Sequence, residues 1–293
     1  MTVRARLLRV LLVLGLLTLV AAGAVYAFRP QRQADPRTVF SAALEQAMSQ
    51  SGVTCTTKEV RQDVTTVRQI SVNLQDPPQV RAVTSVQHGK LTVRTEEIVT
   101  GKGSFVRYIH ITPGQKNAAG QELDLGKVLN VWGKKPAVDS PAPGLYGRTV
   151  LGDCIIPLAD QAGAKAEAFA AEALDRKAFS TVFGSARKAV LTGQDVLVYD
   201  VTIEPKAYIV YMKRIAAATG RRDLDRVDST AYARRSPEKA KFYVTTDTPR
   251  VVKIEYAAAK RTVSFRDYGK APQISAPESS VSATELESHL QRR

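Results

Sequence analysis

Few residues in this chain combine the types and spacing that catalysis needs. Its two cysteines, Cys55 and Cys154, offer either a nucleophile or a covalent bridge. A Cys–His–Arg transpeptidase of the sortase kind requires one free, activated thiol. Cys154 with His88 or His110 can be drawn that way, but the strand context with a preceding Thr-Leu-x-Thr is missing. Neither cysteine belongs to a CxxC, which argues against redox catalysis and against zinc. The simplest reading in an oxidising compartment is a Cys55–Cys154 disulfide, and the alternative is two buried free thiols. A bridge would close a loop of about 100 residues, worth at most ~4–5 kcal/mol in the chain-entropy model.

The other constellations are thinner. Two SxxK tetrads occur, Ser185–Lys188 and Ser236–Lys239, without the SDN and KTG elements a serine acylase requires. Asp223, Asp225 and Asp228 resemble a cation loop, yet lack the following Gly and bidentate Glu, and the neighbouring Arg221, Arg222 and Arg226 repel a cation. The histidines, His88, His110 and His289, show no ligand spacing. These absences give an expectation of no enzyme, no metal and no cofactor. The densest basic stretch is more informative: Arg221, Arg222, Arg226, Arg234 and Arg235 either meet anionic lipid headgroups or form a solvated surface.

The elements that must position these residues follow from periodicity. Asp35-Pro36 opens a helix as N-cap and first helical residue, with Val39, Phe40, Ala43, Leu44 and Ala47 at helical spacing through Met48. From Val53 to Ile111 the period changes to two, broken at Asp76-Pro77-Pro78, His88-Gly89 and Gly101-Lys102-Gly103. That pattern predicts an antiparallel meander of four or five strands with one apolar face. Asn117–Gly152 reads as a short helix and a loop, either a flap over a pocket or a plain connection. A helix is predicted over Ala164–Phe183, a strand over Val196–Ile203, and a second helix from Pro205 to the stop at Gly220. A charged connection follows, then strands at Lys241–Thr246, Val251–Tyr256 and Thr262–Arg266, and a polar tail with a weak helix around Leu286 and Leu290.

Compartment is set by the run Val10–Phe28, nineteen residues without a charge. As a helix it spans ~28 Å, about the hydrocarbon thickness of a bilayer. Arg4, Arg6 and Arg9 precede it, as in a signal peptide, but the run exceeds the usual apolar region and favours a retained anchor. Small residues at Ala22-Gly23-Ala24 and Val25-Tyr26-Ala27 keep cleavage open as the alternative. The cysteines, preferring an oxidising compartment, place the rest of the chain outside the cytoplasm.

The formal charge is +14, and +9 remains once the five arginines before residue 35 are set aside. For an exported domain the available polyanions are phospholipids and wall polymers rather than nucleic acid.

The carboxyl end adds a resemblance. Val251-Val-Lys-Ile-Glu-Tyr256 is followed by a last strand running into Asp267-Tyr268-Gly269, then an extended stretch ending in Ala276-Pro277. This resembles the end of LolA-like proteins, nearest the LppX/LprG-type envelope lipoproteins. The order of an N-terminal helix, a meander, central helices and a final set of strands is similar too. The resemblance implies an α+β fold: a curved antiparallel sheet, or half-barrel, covered by helices around an apolar cavity that binds a lipid. The acylated cysteine of the lipoprotein branch is missing, so the anchor would be the helix itself, and no ligand-binding residue carries over.

The expected organisation is therefore residues 1–34 as basic cytoplasmic start, transmembrane anchor and linker, 35–277 as an exported LolA-like domain, and 278–293 as a polar tail. The expected function is lipid or apolar-ligand binding by a single-pass protein of the plasma membrane. The alternative is a ligand-free structural subunit of the cell envelope.

Overall fold

The structure, a computed structural model, describes residues 35–75, 78–116, 120–136, 147, 149–155, 157–222 and 224–291. The expected anchor at Val10–Phe28 lies outside them. Among the described residues no helix is long and apolar enough to cross a membrane.

Helix α1, Pro36–Met48, buries Val39, Phe40, Ala43, Leu44, Ala47 and Met48, the stripe its spacing predicts. It leads into a meander of five strands: β1 (Gly52–Arg61), β2 (Val64–Asn73), β3 (Gln79–His88), β4 (Leu91–Thr100) and β5 (Gly103–Ile111). The short β6 (Gly133–Lys134) and helix α2 (Ala164–Asp175) follow. Next come β7 (Phe179–Thr181), β8 (Arg187–Leu191), β9 (Gln194–Ile203) and helix α3 (Pro205–Ala218). The chain closes with β10 (Glu238–Thr245), β11 (Val251–Tyr256), β12 (Arg261–Arg266), β13 (Val281–Ser282) and helix α4 (Ala283–Gln291).

Among the described residues the thirteen strands form one open sheet in the order β13-β6-β5-β4-β3-β2-β1-β12-β11-β10-β9-β7, with β8 also on β9. All pairs are antiparallel except β13 on β6. The meander delivers β1 to the middle, where β12 returns beside it with Cys55 opposite Phe265. This is the large, mostly antiparallel α+β arrangement expected from the alternating pattern.

One side of the sheet carries the core. Phe40 of α1 packs on Tyr199 and Phe242 with ring centroids 4.9 and 6.0 Å apart. Tyr208 of α3 meets Phe179 edge-on at 5.5 Å. Tyr211 donates its hydroxyl to the Phe169 carbonyl at 2.9 Å, tying α3 to α2. Phe40, Phe179, Tyr199, Tyr211 and Phe242 are all fully buried, each contributing burial worth roughly 1.5–3 kcal/mol.

Two glycines are required. Gly220, at φ +72°, ends α3 in the left-handed conformation, and Arg221 N–H then reaches back to the Ala216 carbonyl at 2.7 Å. At Gly52 a Cβ would lie 2.5 Å from the Lys270 carbonyl, because the carboxyl-terminal segment crosses directly over the start of β1. The Asp267-Tyr268-Gly269 turn makes that crossing: Asp267 is left-handed, Tyr268 donates to the Val251 carbonyl at 2.6 Å, and Gly269 N–H bonds the Gly52 carbonyl.

Three expectations change. The helix predicted over Ala164–Phe183 stops at Asp175; Lys177 turns left-handed and Phe179 enters β7 against β9. Strand β8, a hairpin partner of β9, is additional. The polar tail carries the helix expected around Leu286 and Leu290, as α4, but adds the short β13 and is docked, with Leu286 fully buried in a second cluster with Ile111 and Val128. A side chain on Gly133 would strike Leu286 at 3.0 Å, so the missing Cβ lets α4 sit down.

Candidate functional site

The sheet's register sorts every strand residue to one of two sides. On the helix-facing side, Ile70 and Val72 of β2 lie beside Ala82 and Val80 of β3, all buried. Further along the same side the packing thins. Thr66, Thr84, Thr95 and Val106 are half-buried, and Val86 is 38% exposed. Beyond them the second cluster covers the face again, with Val93 and Tyr108 packed against it. A half-open strip of hydroxyls and branched apolar groups, crossed by the Glu97–Lys135 ion pair at 2.8 Å, therefore runs between two packed ends of one sheet face.

Charged side chains border the strip. Arg68 of β2 continues the Val72–Ile70 alternation, and Arg261 of β12 continues the Phe265–Val263 alternation, so both point to the helix-facing side. Register sets Arg68 opposite Thr57, and Arg261 between Glu59 and Tyr256. A π-helical turn, Thr149–Asp153, lies over them. Arg261 Nη2 donates to the Gly152 carbonyl at 2.7 Å, and Arg68 Nη1 pairs with the Asp153 carboxylate. Thr57 Oγ1 donates to the Asp153 carbonyl at 2.8 Å, and the Tyr208 hydroxyl to that of Val150 at 2.6 Å.

The next residue, Cys154, forms a disulfide with Cys55, Cα atoms 6.1 Å apart. The sequence pairing is thus realised, and Cys154 has no free thiol for a Cys–His arrangement. His88 pairs with Asp63 at an exposed turn, and His110 is exposed on β5.

Sequence reasoning missed this cluster, although its signal was present: two arginines at positions where the alternation calls for apolar side chains. The Arg261 guanidinium stacks 4.2 Å from the Tyr256 ring centre. Tyr256 is 5% exposed; burial pushes its phenol well above the usual tyrosine range, with the Arg261 charge opposing in part.

The basic stretch singled out from sequence lies elsewhere, on the connection between α3 and β10. Arg222, Arg226, Arg234 and Arg235 are exposed. Arg235 stacks on Tyr232 at 4.4 Å, and Arg221, half-buried, donates to the Leu74 carbonyl at 3.3 Å. Buried Leu224 and Val227 pin this connection down. Of the cation-loop candidates, Asp223 lies outside the described residues, and Asp228 accepts from Thr230 N–H at 2.8 Å, as the cap of a short 3-10 turn. In the SxxK tetrads, Ser185 donates to the Val182 carbonyl, and Ser236 and Lys239 are exposed.

A separate cleft of about 550 Å³ opens at the β8–β9 and β10–β11 turns. Asp195, Asp247, Arg250 and Asp267 are among its lining residues, a wall suited to polar groups rather than to an acyl chain.

The fold defines an α+β protein with helices laid on one side of an open antiparallel sheet. No family model matches the chain, and no curated protein matches it. Among solved structures it is similar to the crystal structure of LprF from Mycobacterium bovis, at 9% identity and a TM-score of 0.41, over 81% of this chain and 96% of that one. At that identity and score the likeness is a weak one of fold.

Proposed function

We propose that this protein is a single-pass membrane-tethered domain, held outside the cytoplasm, which binds a lipid or other apolar ligand between a half-barrel sheet and its helices and performs no catalysis. The observation that carries the reading is the half-open strip on the helix-facing side, Thr66, Thr84, Val86, Thr95 and Val106, between two packed clusters. Exposed apolar surface with a built polar margin is what a sheet presents where a ligand completes its packing. The apolar run Val10–Phe28 supports the tether, and the Cys55–Cys154 disulfide supports an oxidising compartment.

The test is native mass spectrometry of residues 35–293, exported in their natural host and purified without detergent. Co-purified lipid, lost on organic extraction and regained on incubation with that extract, is the expected result. A second reading, a ligand-free envelope subunit, draws on the dense aromatic packing of Phe40, Phe179, Tyr199 and Phe242 under α1 and α3. Protein that carries no lipid and regains none, yet cross-links to one envelope partner, would favour that second reading.

A further inference from the structure

Among the described residues, four buried side-chain atoms have no hydrogen-bond partner: Arg68 Nε, Arg250 Nε, Tyr256 Oη and Arg261 Nε. Three of the four belong to the cluster beneath the Gly152–Asp153 turn. Buried polar groups are almost always satisfied, so three unspent groups in one place call for an occupant. The two arginines are held by adjacent residues of one turn, through Gly152 O and the Asp153 carboxylate, and Tyr256 lies against the Arg261 guanidinium. All three side chains therefore gather at the underside of one turn.

The chemistry of the missing partner follows from the donors. A guanidinium N–H can only donate, and the Tyr256 hydroxyl is available to donate as well. The complement is a group rich in acceptors. Charge narrows it further: two guanidiniums face one carboxylate at the turn, Asp153. The neighbouring Glu59 carboxylate is already engaged by Arg61 at 2.5 Å. Glu238 also acts on Tyr256 from β10, so it is the charged character of the guanidinium donors, not a surplus charge, that favours an anionic acceptor.

We infer that Arg68, Arg261 and Tyr256 form a recess for the carboxylate or phosphodiester head of an anionic amphiphile, whose apolar part lies along the strip toward Val86. This rests on the apolar-ligand reading above and assigns its polarity: head under the disulfide-tied turn, tail over β3 and β4. Tyr256 is the discriminating residue, because among the described residues its hydroxyl ties to no other element and only the Arg261 guanidinium is seen to act on it as a donor.

The experiment measures binding of oleate, of neutral monoolein and of inorganic phosphate to delipidated protein and to the Tyr256→Phe and Arg261→Gln variants. Tyr256→Phe is expected to melt at the same temperature as the parent or above it, since it removes a buried unsatisfied hydroxyl. It should bind oleate ~10-fold more weakly, the loss of about one hydrogen bond to a charged group, and leave monoolein unchanged. Arg261→Gln, which also releases Gly152, should weaken oleate further. Equal effects on oleate and monoolein overturn the anion recess while leaving lipid binding intact. Failure of both amphiphiles overturns the apolar-ligand reading itself. Phosphate binding as tight as oleate's shows a free-anion site and overturns the amphiphile assignment. No binding by any probe makes the occupant water, and that overturns the recess too.

Discussion

Replacing both cysteines, Cys55→Ala with Cys154→Ala, tests the turn on which the recess depends. The bridge joins residues 99 apart, and a loop of that size restricts the unfolded chain by about 4–5 kcal/mol in the chain-entropy model. Both residues are at most 1% exposed, so the lost sulfurs add a packing cost of order 1 kcal/mol. Against this, the folded turn keeps its bonds from Thr57, Tyr208 and Arg261, at 2.6–2.8 Å, and its ion pair with Arg68. The fold should therefore hold its turn geometry with a loss of about 5–6 kcal/mol, a large share of the 5–15 kcal/mol typical of a domain. At a urea slope of ~3 kcal/mol/M the midpoint would fall by roughly 2 M. Urea titration of residues 35–293, followed by the fluorescence of Trp132 and by circular dichroism, reads this directly. A loss under ~1 kcal/mol would refute the reasoning, since it would mean the unfolded chain is already restricted near these positions or the turn never depended on the link.

Two further perturbations address the outer side of the sheet and the carboxyl terminus. Glu96 is buried, and burial alone would raise its pKa, but hydrogen bonds and charge from Arg81 and Arg107 outweigh that and hold it below the ordinary glutamate range. Its folded value is depressed, so the stabilisation is present above the unfolded value and disappears as pH falls through the folded one. Glu96→Gln should cost about 2 kcal/mol at pH 7, at the low end for such a pair because the Arg81 side chain is half exposed, and progressively less as pH falls below the ordinary glutamate range; a cost that does not shrink with falling pH in denaturant titrations would contradict the assignment. Leu286→Ala removes a side chain that is fully buried against Ile111 and Val128 and should cost ~2–4 kcal/mol, releasing α4 to limited proteolysis. Unchanged protease resistance of residues 283–291 would mean α4 does not depend on that contact.

What the sequence made legible was whatever one buried face imprints on one element. The stripe of α1 and the meander from Gly52 to Ile111 are of that kind, as is α3 between Pro205 and Gly220. The failures share a cause as well. Strand β8 is exposed or half-buried at every position, so no alternation marks it. Arg176, Lys177 and Ala178 are compatible with helix past Asp175, but pairing of Phe179 with Ile203 and of Thr181 with Val201 takes the chain into β7 instead. Strand β13 is two residues long and exists because β6, 148 positions earlier, offers an edge: Val281 pairs with Gly133. The site was hidden differently. Arg68 and Arg261 were visible as charges out of phase with the apolar alternation, whereas their shared turn comes from residues 149–153, far away in sequence.

Charge pairs are complete over most of the sheet, Glu59–Arg61 and Glu97–Lys135 on the inner side included, and the exceptions beneath the turn support a purpose there. On the outer side the charges complete one another. Glu96 sits between Arg81 and Arg107, and Arg107 stacks 4.5 Å from Trp132. Glu255 holds Lys253 at 2.5 Å and accepts from the Tyr243 hydroxyl at 2.6 Å; burial, and then that bond, push the phenol up to about 12. Asp200 takes Arg187 at 3.0 Å. None of these arginines or lysines is among the residues with a buried, unpartnered atom. The inner side, where apolar residues would pack at less cost, instead keeps two guanidiniums and a phenol with unspent donors. A scaffold alone would favour leucine or phenylalanine at positions 68 and 261, since replacing buried charge by apolar groups of similar volume is commonly neutral or stabilising. Unspent donors beneath the turn, beside complete pairing elsewhere on the sheet, are the pattern expected where an anionic partner supplies the missing half.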